Sequence, residues 1–354
     1  MSTCRPRTCG RRRSPAGTGR LKLATLHNGT PDGSLIVVSS DASRSTEAGR
    51  IAPTLQAALD DWSRIAPALR ECAARLDAGG GVPLPAHTLA APLPRAWQWL
   101  DGSAFDAHGQ LMTRLFGIQA KQSDRPLMYQ GLSHQFVGPS EDVPLPRESD
   151  EIDFEGEFAV VTDAVPMGVS PAEAATHIRL VMLINDWSLR ALARDEMKTG
   201  FGWIQAKPAC SAAPFAVTPD ALGSGWGRER VQMRLRVEVN GAWYGEPHGG
   251  EMGVGFGDLI AHAAATRALC AGTIIGSGTV SNENYAMVGS TCIAERRAIE
   301  TLDTGTPRTP FLRFGDRVRM SAVDAAGNSP FGTIDQRVIK AHLAGPDDSP
   351  EAAR

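Results

Sequence analysis

The pattern of hydrophobic and polar positions predicts a β-rich chain with a few isolated helices. The clearest alternation runs through residues 231–240, where every second side chain is apolar, and Asn240-Gly241 predicts a hairpin turn directly after it. Shorter alternating or apolar segments predict the remaining strands, two of them within 21–40 and the others at 152–162, 180–184, 273–275, 317–323 and 333–339.

Capping signals and helical spacing predict three helices. Thr54 precedes a segment with apolar residues on one face, and Pro67 predicts a bend or restart of that helix. Ser170, Pro171 and Glu173 form a capping box and predict a helix to about residue 178; a third is predicted over 258–268. Since few strands alternate with helices and no glycine-rich phosphate loop follows a strand, the pattern argues against a dinucleotide-binding fold.

Glycine and proline divide the chain into two unequal domains. Three consecutive glycines at 79–81 and four prolines between 83 and 94 predict a linker or irregular crossing. We therefore expect a small β-rich domain over 21–91, a larger domain over 92–345 and a short tail over 346–354. Residues 1–20 hold six arginines and no acid, yet lack the apolar spacing of an amphipathic transit peptide. We expect this segment to be a disordered extension, with a short nucleic-acid-binding arm as the alternative.

Composition excludes several classes of protein. With 36 Lys and Arg against 39 Asp and Glu, the net charge of −3 gives no support for binding of nucleic acid. The chain has no apolar run near the roughly 18 residues of a membrane span. Its six cysteines are scattered without a CxxC, which is typical of reduced thiols in a cytoplasmic protein.

Several acidic and basic residues stand at positions suited to chemistry. Glu155 and Glu157 lie on one face of a predicted strand, and two carboxylates ~4 Å apart at an effective dielectric near 20 repel by about 4 kcal/mol. A hard divalent cation removes that repulsion, although a solvated strand face is the simpler interpretation. Asp186 directly follows an apolar strand, where an unpaired acid is costly. Lys207 could hold a carboxylate or lie on the surface, and His108 alone could be an ordinary polar residue.

Taken together, a series of motifs resembles the fumarylacetoacetate hydrolase family. They run in the expected order from about Trp97 to Ile339 and comprise Asp153-Phe-Glu-Gly-Glu157, Leu183-Ile-Asn-Asp-Trp-Ser188 with Arg190, Gly202-Trp-Ile-Gln-Ala-Lys-Pro208, Val217-Thr-Pro-Asp220, Ala271-Gly-Thr-Ile-Ile-Gly-Ser-Gly-Thr279 and Phe314-Gly-Asp316. The resemblance implies an α+β, β-rich fold: a mixed β-sandwich roll as the catalytic domain, preceded by a small SH3-like barrel. It also implies a homodimer that acts on a small-molecule diketo or 2-oxo acid, without nucleic-acid or membrane partners.

The resemblance further implies roles for individual residues. It implies one divalent ion, Mg²⁺ or Ca²⁺, with the metal ligands Asp101, Glu155, Glu157 and Asp186. His108, seven residues after Asp101, matches the catalytic histidine, and Glu295 is our candidate for the glutamate that orients it, although its spacing is two residues longer than the family pattern. Arg190 and Lys207 match residues that stabilise negative charge. Substrate contacts are expected from Tyr129, Thr279 and Ser103.

The implied reaction is metal-dependent hydrolysis of a carbon–carbon bond in a β-diketo acid of fumarylacetoacetate type, in the catabolism of aromatic compounds. Related 2-oxo acid chemistry is the alternative, namely acylpyruvate hydrolysis, oxaloacetate-type decarboxylation or hydration of a 2-oxo-pentenoate. A catalytically silent metal-binding scaffold is the third hypothesis. The substrate-contacting positions depart from the family pattern, because Ala193 and Met197 cannot make the expected polar contacts and Ser103 replaces a tyrosine.

Overall fold

A computed structural model describes residues 20–116, 125–324 and 327–343. The predicted extension at 1–20, apart from Arg20, and the predicted tail at 346–354 lie outside the described residues.

The described residues contain twenty strands and eight α-helices. The strands are β1 (Lys22–Leu26), β2 (Ser34–Val38), β3 (Arg44–Glu47), β4 (Val82–Pro83), β5 (Gln98–Ser103), β6 (Leu127–Gln130), β7 (Val143–Leu145), β8 (Ile152–Asp153), β9 (Gly156–Thr162), β10 (Ile178–Asn185), β11 (Ser188–Leu189), β12 (Ser211–Ala212), β13 (Ala216–Val217), β14 (Trp226–Gly227), β15 (Arg230–Val231), β16 (Arg234–Val239), β17 (Ala242–Gly245), β18 (Thr273–Gly276), β19 (Arg317–Val323) and β20 (Thr333–Lys340). The helices are α1 (Leu55–Asp60), α2 (Trp62–Asp77), α3 (Asp106–Phe116), α4 (Pro171–Ala175), α5 (Arg190–Thr199), α6 (Phe256–Ala263), α7 (Tyr285–Val288) and α8 (Ile293–Thr304).

Two β-sheets form the framework of the molecule. The larger one has eleven strands in the order β4-β3-β2-β1-β13-β10-β9-β18-β5-β6, with β12 paired to β10. The smaller one has five strands in the order β17-β16-β19-β20-β7. Most neighbours are antiparallel, but β18 runs parallel to β5 and β20 parallel to β7. This mixed topology agrees with the predicted β-rich α+β fold.

Alternation along the central strands buries both faces of the larger sheet. In β9, Phe158 and Val160 join the core shared with β16, β19 and β20 of the smaller sheet. Ala159 and Val161 join a second core, which includes Leu55 and Leu69 of α1 and α2. The larger sheet is therefore a middle layer between the smaller sheet and the helices, which explains why β9 is buried throughout.

The first 70 residues of the folded part extend the larger sheet. Strands β1–β4 form an antiparallel series, and β1 pairs with β13 through Lys22 opposite Val217. The four strands thus continue an open sheet, and the expected SH3-like barrel is not confirmed.

Several predicted elements have different boundaries in the structure. The break in the first helical segment falls at Asp61, whose φ of −140° separates α1 from α2, and Pro67 lies inside α2. The predicted restart of the helix at Pro67 is therefore wrong. The predicted strand over 152–162 is interrupted between β8 and β9, and the strand predicted over 231–240 is divided between β15 and β16. Helix α6 is shorter than predicted and ends at Ala263.

Among the described helices, none combines the length and the apolar character that a membrane span requires. Cys72, Cys210, Cys270 and Cys292 are free thiols, as predicted for these four, whereas Cys4 and Cys9 lie outside the described residues.

Candidate functional site

Three buried carboxylates meet where strands of the larger sheet end. Asp101 lies on β5, Glu157 on β9 and Asp186 one residue after β10. One oxygen atom of each residue lies within 4.8 Å of the others, and the three side chains are at most 5% exposed. We call this group the carboxylate cluster.

Strand register explains why these three residues meet. Glu157 pairs with Ile184, and Asp101 pairs with Gly276 of β18, the strand that separates β5 from β9. By alternation, the three acids lie on the same sheet face as their apolar neighbours in the core with α1 and α2. Gly276 makes room for the cluster, because a Cβ atom there would lie 2.3 Å from Asp101 Oδ1.

The carboxylate cluster has the charge and the unpaired oxygen atoms of a cation site. Both carboxylate oxygens of Glu157 are buried without a hydrogen-bond partner among the described residues. Burial, followed by the negative charge of Asp186, raises the pKa of Asp101. Burial, followed by the negative charge of Asp101, raises the pKa of Glu157. Buried carboxylates at this spacing are costly unless a cation binds them, and all-oxygen ligands suit Mg²⁺, Ca²⁺ or Mn²⁺.

The two glutamates of the Glu-Gly-Glu motif have separate partners. Glu155 lies in the interruption between β8 and β9 and forms an isolated bridge with Cys292. Its carboxylate accepts from Arg190 Nη2 at 2.7 Å and from Lys207 Nζ at 2.5 Å. Burial raises the pKa of Glu155, but the charges of Arg190 and Lys207 outweigh burial and lower it. Glu155 therefore stays ionised beside two cations, whereas Glu157 belongs to the carboxylate cluster.

Lys207 joins Glu155 to the carboxylate cluster. Besides Glu155, its Nζ donates to Asp186 Oδ2 at 2.6 Å and to Ser188 Oγ at 2.7 Å. Burial lowers the pKa of Lys207, but Asp186 and Glu155 outweigh burial and raise it. The lysine is 6% exposed, so it is a buried structural cation of the site.

Two further side chains contact Asp186. Tyr129 of β6 donates its hydroxyl to Asp186 Oδ2 at 2.5 Å, and it lies opposite Asp101 in the β5–β6 pair. The thiol of Cys210 lies 2.8 Å from Asp186 Oδ1. Burial, followed by the charge of Asp186, raises the pKa values of both Tyr129 and Cys210, so both remain protonated donors.

Arg190 and Asp153 connect the site to helix α8. Arg190 Nε donates to Asp153 Oδ2 at 2.8 Å, in addition to its bond with Glu155. Asp153 also accepts from the backbone N–H groups of Ile293 and Ala294 at 2.7 and 2.9 Å. Since these are the first two residues of α8, Asp153 provides acceptors for backbone N–H groups that have no partner within the helix that carries Glu295.

His108 and Glu295 form a second pair of functional groups. His108 lies in the first turn of α3 and Glu295 in the first turn of α8, and the distance from His108 Nδ1 to Glu295 Oε2 is 2.8 Å. The Glu295 side chain is fully buried, whereas that of His108 is 21% exposed. Because a carboxylate only accepts, the pair places a proton on Nδ1 and leaves Nε2 as the accepting nitrogen.

The remaining predicted residues lie on two adjacent loops. Ser103 ends β5 and is exposed, while Thr279 follows β18 and is 5% exposed. The loops are joined by the Ala104 N–H, which donates to the Ser277 carbonyl at 3.0 Å. Next to Thr279, the Gly278 N–H donates to Asp101 Oδ1 at 3.2 Å, so the second loop contacts the carboxylate cluster.

Sequence reasoning missed four contacting residues: Asp153, Ser188, Cys210 and Cys292. Asp153 opens the Asp-Phe-Glu-Gly-Glu motif, so its place in that motif was the available signal. Ser188 likewise ends the Asn-Asp-Trp-Ser motif. The two cysteines had no local signal, because their contacts depend on the packing of segments far apart in the chain.

Two family profiles match the chain. Residues 98–339 match the family described as "Fumarylacetoacetate (FAA) hydrolase C-terminal". Residues 21–95 match "Fumarylacetoacetase N-terminal domain 2".

The chain is also similar to individual proteins of known sequence and to solved structures. Rat mitochondrial oxaloacetate tautomerase Fahd2a is 27% identical over 158 residues, which cover 44% of this chain and 48% of the relative. The chain thus spans about half the length of that curated relative. A probable 2-hydroxyhepta-2,4-diene-1,7-dioate isomerase from Mycobacterium abscessus superposes with a TM-score of 0.63 at 21% identity, over 92% of this chain and all of the other. Maleylpyruvate hydrolase from Sphingobium sp. SYK-6, solved with manganese(II) and pyruvate, superposes with a TM-score of 0.61 at 18% identity, over 91% and 100%. At such identities, the two structures establish the fold alone.

Proposed function

Because this chain belongs to the fumarylacetoacetate hydrolase family, we propose that it is a divalent-metal-dependent enzyme that hydrolyses a carbon–carbon bond in a β-diketo acid of fumarylacetoacetate type. One observation carries this proposal. The His108–Glu295 pair, in which Glu295 is buried, is joined through the bridge between Cys292 and Glu155 to a site rich in carboxylates.

The carboxylate cluster would hold the metal. Asp101, Glu157 and Asp186 supply buried oxygen ligands, and Glu155 adds a fourth carboxylate through its shared contact with Lys207. Within the described part of the site, five buried acids, the four named here and Asp153, face only two cations, Lys207 and Arg190. A divalent cation would bring this charge close to balance. When bound, it would supply Lewis-acid polarisation of the carbonyl oxygens of the substrate.

His108 would act as the general base. Its Nδ1 proton is held by Glu295, so Nε2 can take a proton from a water molecule that attacks the substrate carbonyl. Because Glu295 is fully buried, it would favour the protonated imidazole that results. The partial exposure of His108 is consistent with access of water and substrate.

The basic residues would position the site. Arg190 uses two guanidinium nitrogens on Asp153 and Glu155, and Lys207 donates to three acceptors, so both hold the carboxylates in place. Their charges would also stabilise negative charge that develops on the substrate. Tyr129, Thr279 and Ser103 are the proposed substrate contacts, and the proposed assembly is a homodimer.

Tautomerase or isomerase chemistry on a 2-oxo acid is the second candidate function. The 27% identity to an oxaloacetate tautomerase favours it. Proton transfer at carbon needs a base such as His108 but no hydrolytic water. Product analysis distinguishes the two reactions, because only hydrolysis gives two carboxylic-acid-containing fragments.

The test is an ultraviolet assay of fumarylacetoacetate and several acylpyruvates, with Mg²⁺, with Mn²⁺ and after EDTA treatment. We expect metal-dependent cleavage that falls by about 10²–10⁴-fold in His108→Ala, the range typical of a general base. His87→Ala, at an exposed position in the N-terminal segment, is the matched control and should keep wild-type activity. Cleavage that survives His108→Ala would contradict the mechanism. Metal binding without turnover of any 2-oxo acid would indicate the silent scaffold.

A further inference from the structure

A second set of metal-type ligands lies at the start of α8. His108, Cys292 and Glu295 each offer one ligand atom, and these three atoms lie within 4.8 Å of one another. This set, which we call the α8 triad, shares no residue with the carboxylate cluster. Its donor chemistry also differs, because it combines sulfur, nitrogen and oxygen, whereas the carboxylate cluster offers only oxygen.

The α8 triad has an unused buried acceptor. Glu295 Oε2 contacts His108, but Glu295 Oε1 is buried without a hydrogen-bond partner among the described residues. Cys292 and Glu295 are both 0% exposed. An unpartnered carboxylate oxygen in such surroundings is costly, and a bound cation would satisfy it.

The thiol of Cys292 is not needed for the local fold. Cys292 is the N-cap of α8, and its Sγ accepts from the backbone N–H of Glu295 at 3.3 Å. Serine is one of the preferred residues at this position and makes the same bond with an oxygen atom. A cysteine here therefore offers a soft metal ligand at a position where capping alone favours a hydroxyl group.

We propose that His108, Cys292 and Glu295 form an inhibitory site for a thiophilic divalent cation such as Zn²⁺. With Zn–S of about 2.3 Å and Zn–N of about 2.0 Å, ligand atoms of a tetrahedral zinc lie roughly 3.5 Å apart. The three ligand atoms of the triad lie within 4.8 Å of one another, and the partly exposed His108 side chain can supply the adjustment that closes them to this spacing. Binding would release the Cys292 thiol proton to solvent, and water would complete the coordination.

An ion in the α8 triad would stop hydrolysis by occupying the proposed base. Zn²⁺ would take a ring nitrogen of His108 and an oxygen of Glu295, so the pair could no longer accept a proton from water. This inhibitory effect rests on the proposed function, but the existence of the site rests only on the triad geometry. Since Mg²⁺ prefers oxygen ligands, it should stay in the carboxylate cluster and should not compete with Zn²⁺.

The experiment uses the full chain saturated with Mg²⁺. Titration with Co²⁺, a spectroscopic substitute for Zn²⁺, should produce a thiolate-to-metal charge-transfer band, and titration with Zn²⁺ should abolish diketo-acid cleavage. Cys292→Ser keeps the helix cap, so it should fold, lose the band and require at least ten times more Zn²⁺ for half inhibition of its own zinc-free rate. Cys270→Ser removes an exposed thiol and should behave as wild type in both assays.

A Cys210→Ser variant distinguishes the two metal sites. If its band disappears while that of Cys292→Ser persists, the soft metal binds beside Asp186 and the proposal is overturned. If Cys270→Ser relieved Zn²⁺ inhibition as much as Cys292→Ser, the proposal would also be overturned, because Zn²⁺ would then bind a surface thiol. A Cys292-dependent band in a protein that cleaves no 2-oxo acid would support the site and show that only the proposed function fails.

Discussion

Glu155 and Glu157 are two residues apart, yet their electrostatic surroundings are opposite. Arg190 and Lys207 lower the pKa of Glu155, whereas burial beside Asp101 and Asp186 raises the pKa of Glu157. Neutralising Glu157 should therefore raise the free energy of unfolding, whereas neutralising Glu155 should lower it.

Glu157→Gln should stabilise the metal-free protein and abolish its response to metal. The substitution keeps the shape of the side chain but removes a buried charge that faces two other acids, so we expect a gain of about 1–3 kcal/mol in the free energy of unfolding. The melting temperature without metal should rise by a few degrees, and the further rise that we expect for the wild type on adding Mn²⁺ should disappear. Differential scanning calorimetry with and without Mn²⁺ measures both effects.

Glu155→Gln is the matched control with the opposite sign. The amide keeps one accepting oxygen but replaces the other with an NH₂ group that cannot accept, so Arg190 and Lys207 lose the negative charge that they share and one of them loses its hydrogen bond to residue 155. The free energy of unfolding should therefore fall by about 3–5 kcal/mol, typical of a broken buried ion pair. Equal shifts of the melting temperature in the two variants would contradict the division of the two glutamates between separate partners.

At the scale of elements, helix α5 holds the segment that leads to Lys207. The Glu196 carboxylate accepts from the backbone N–H groups of Ile204, Gln205 and Ala206, at distances from 2.8 to 3.1 Å. Lys207 follows directly, so this clamp fixes the approach of the lysine to Glu155 and Asp186. Burial raises the pKa of Glu196, but these three hydrogen bonds outweigh burial and lower it.

Glu196→Gln should loosen this segment and lower kcat/KM about tenfold at pH 7. Since the folded pKa of Glu196 is below its unfolded value of 4.5, the clamp contributes its full stability above that pH and loses it as the pH falls through the folded pKa. Because these hydrogen bonds are made to a charged group, the Glu196→Gln variant should lose about 1.5–3 kcal/mol of the free energy of unfolding at pH 7. Urea unfolding of wild type and variant should show this difference shrinking below about pH 4.5.

Asp195→Asn is the control for the Glu196 clamp. Asp195 neighbours Glu196 but contacts only the exposed Lys198, at 2.9 Å, among the ion pairs of the described residues. Its neutralisation should leave both kcat/KM and stability almost unchanged. If both variants lower kcat/KM equally, the effect comes from the charge of α5 and not from the clamp.

At the scale of the whole molecule, the N-terminal segment and the segment that carries the site share one sheet and one core. Strand β1 pairs with β13, and Leu23 and Val37 belong to the same buried cluster as Leu180 and Met182 of β10. We therefore propose that 21–91 and 92–345 are organisational units that fold together.

Deletion of residues 21–95 should prevent formation of a soluble folded protein. The deletion would expose the edge of β13 and one apolar face of the larger sheet, which favours aggregation. Size-exclusion chromatography and circular dichroism of the truncated chain test this. Deletion of residues 1–19 is the control and should leave activity unchanged. A monomeric, folded protein without residues 21–95 would show that the second unit is independent.

Local pattern along the chain was enough to predict several of the strands and helices. Alternation predicted β19 and β20 almost residue by residue, because one face of each strand packs on the core and the other faces outward. The capping box predicted the start of α4 at Pro171, because Ser170 accepts the N–H of Glu173 three residues later. Local pattern likewise placed Glu157 and Asp186 on or beside predicted strands, whereas Asp101 was identified only by the family resemblance, because no strand was predicted at β5.

The partners of these residues, by contrast, depend on how the chain packs in three dimensions. His108 and Glu295 are 187 positions apart, and their 2.8 Å contact exists because α3 and α8 pack together. The interruption after β8 follows from Asp153, whose carboxylate binds the start of α8, and from Glu155, which pairs with Cys292. The open N-terminal sheet likewise depends on β13, nearly 200 residues away from β1. Such contacts depend on which distant segments share a core, and local periodicity carries no information about that choice.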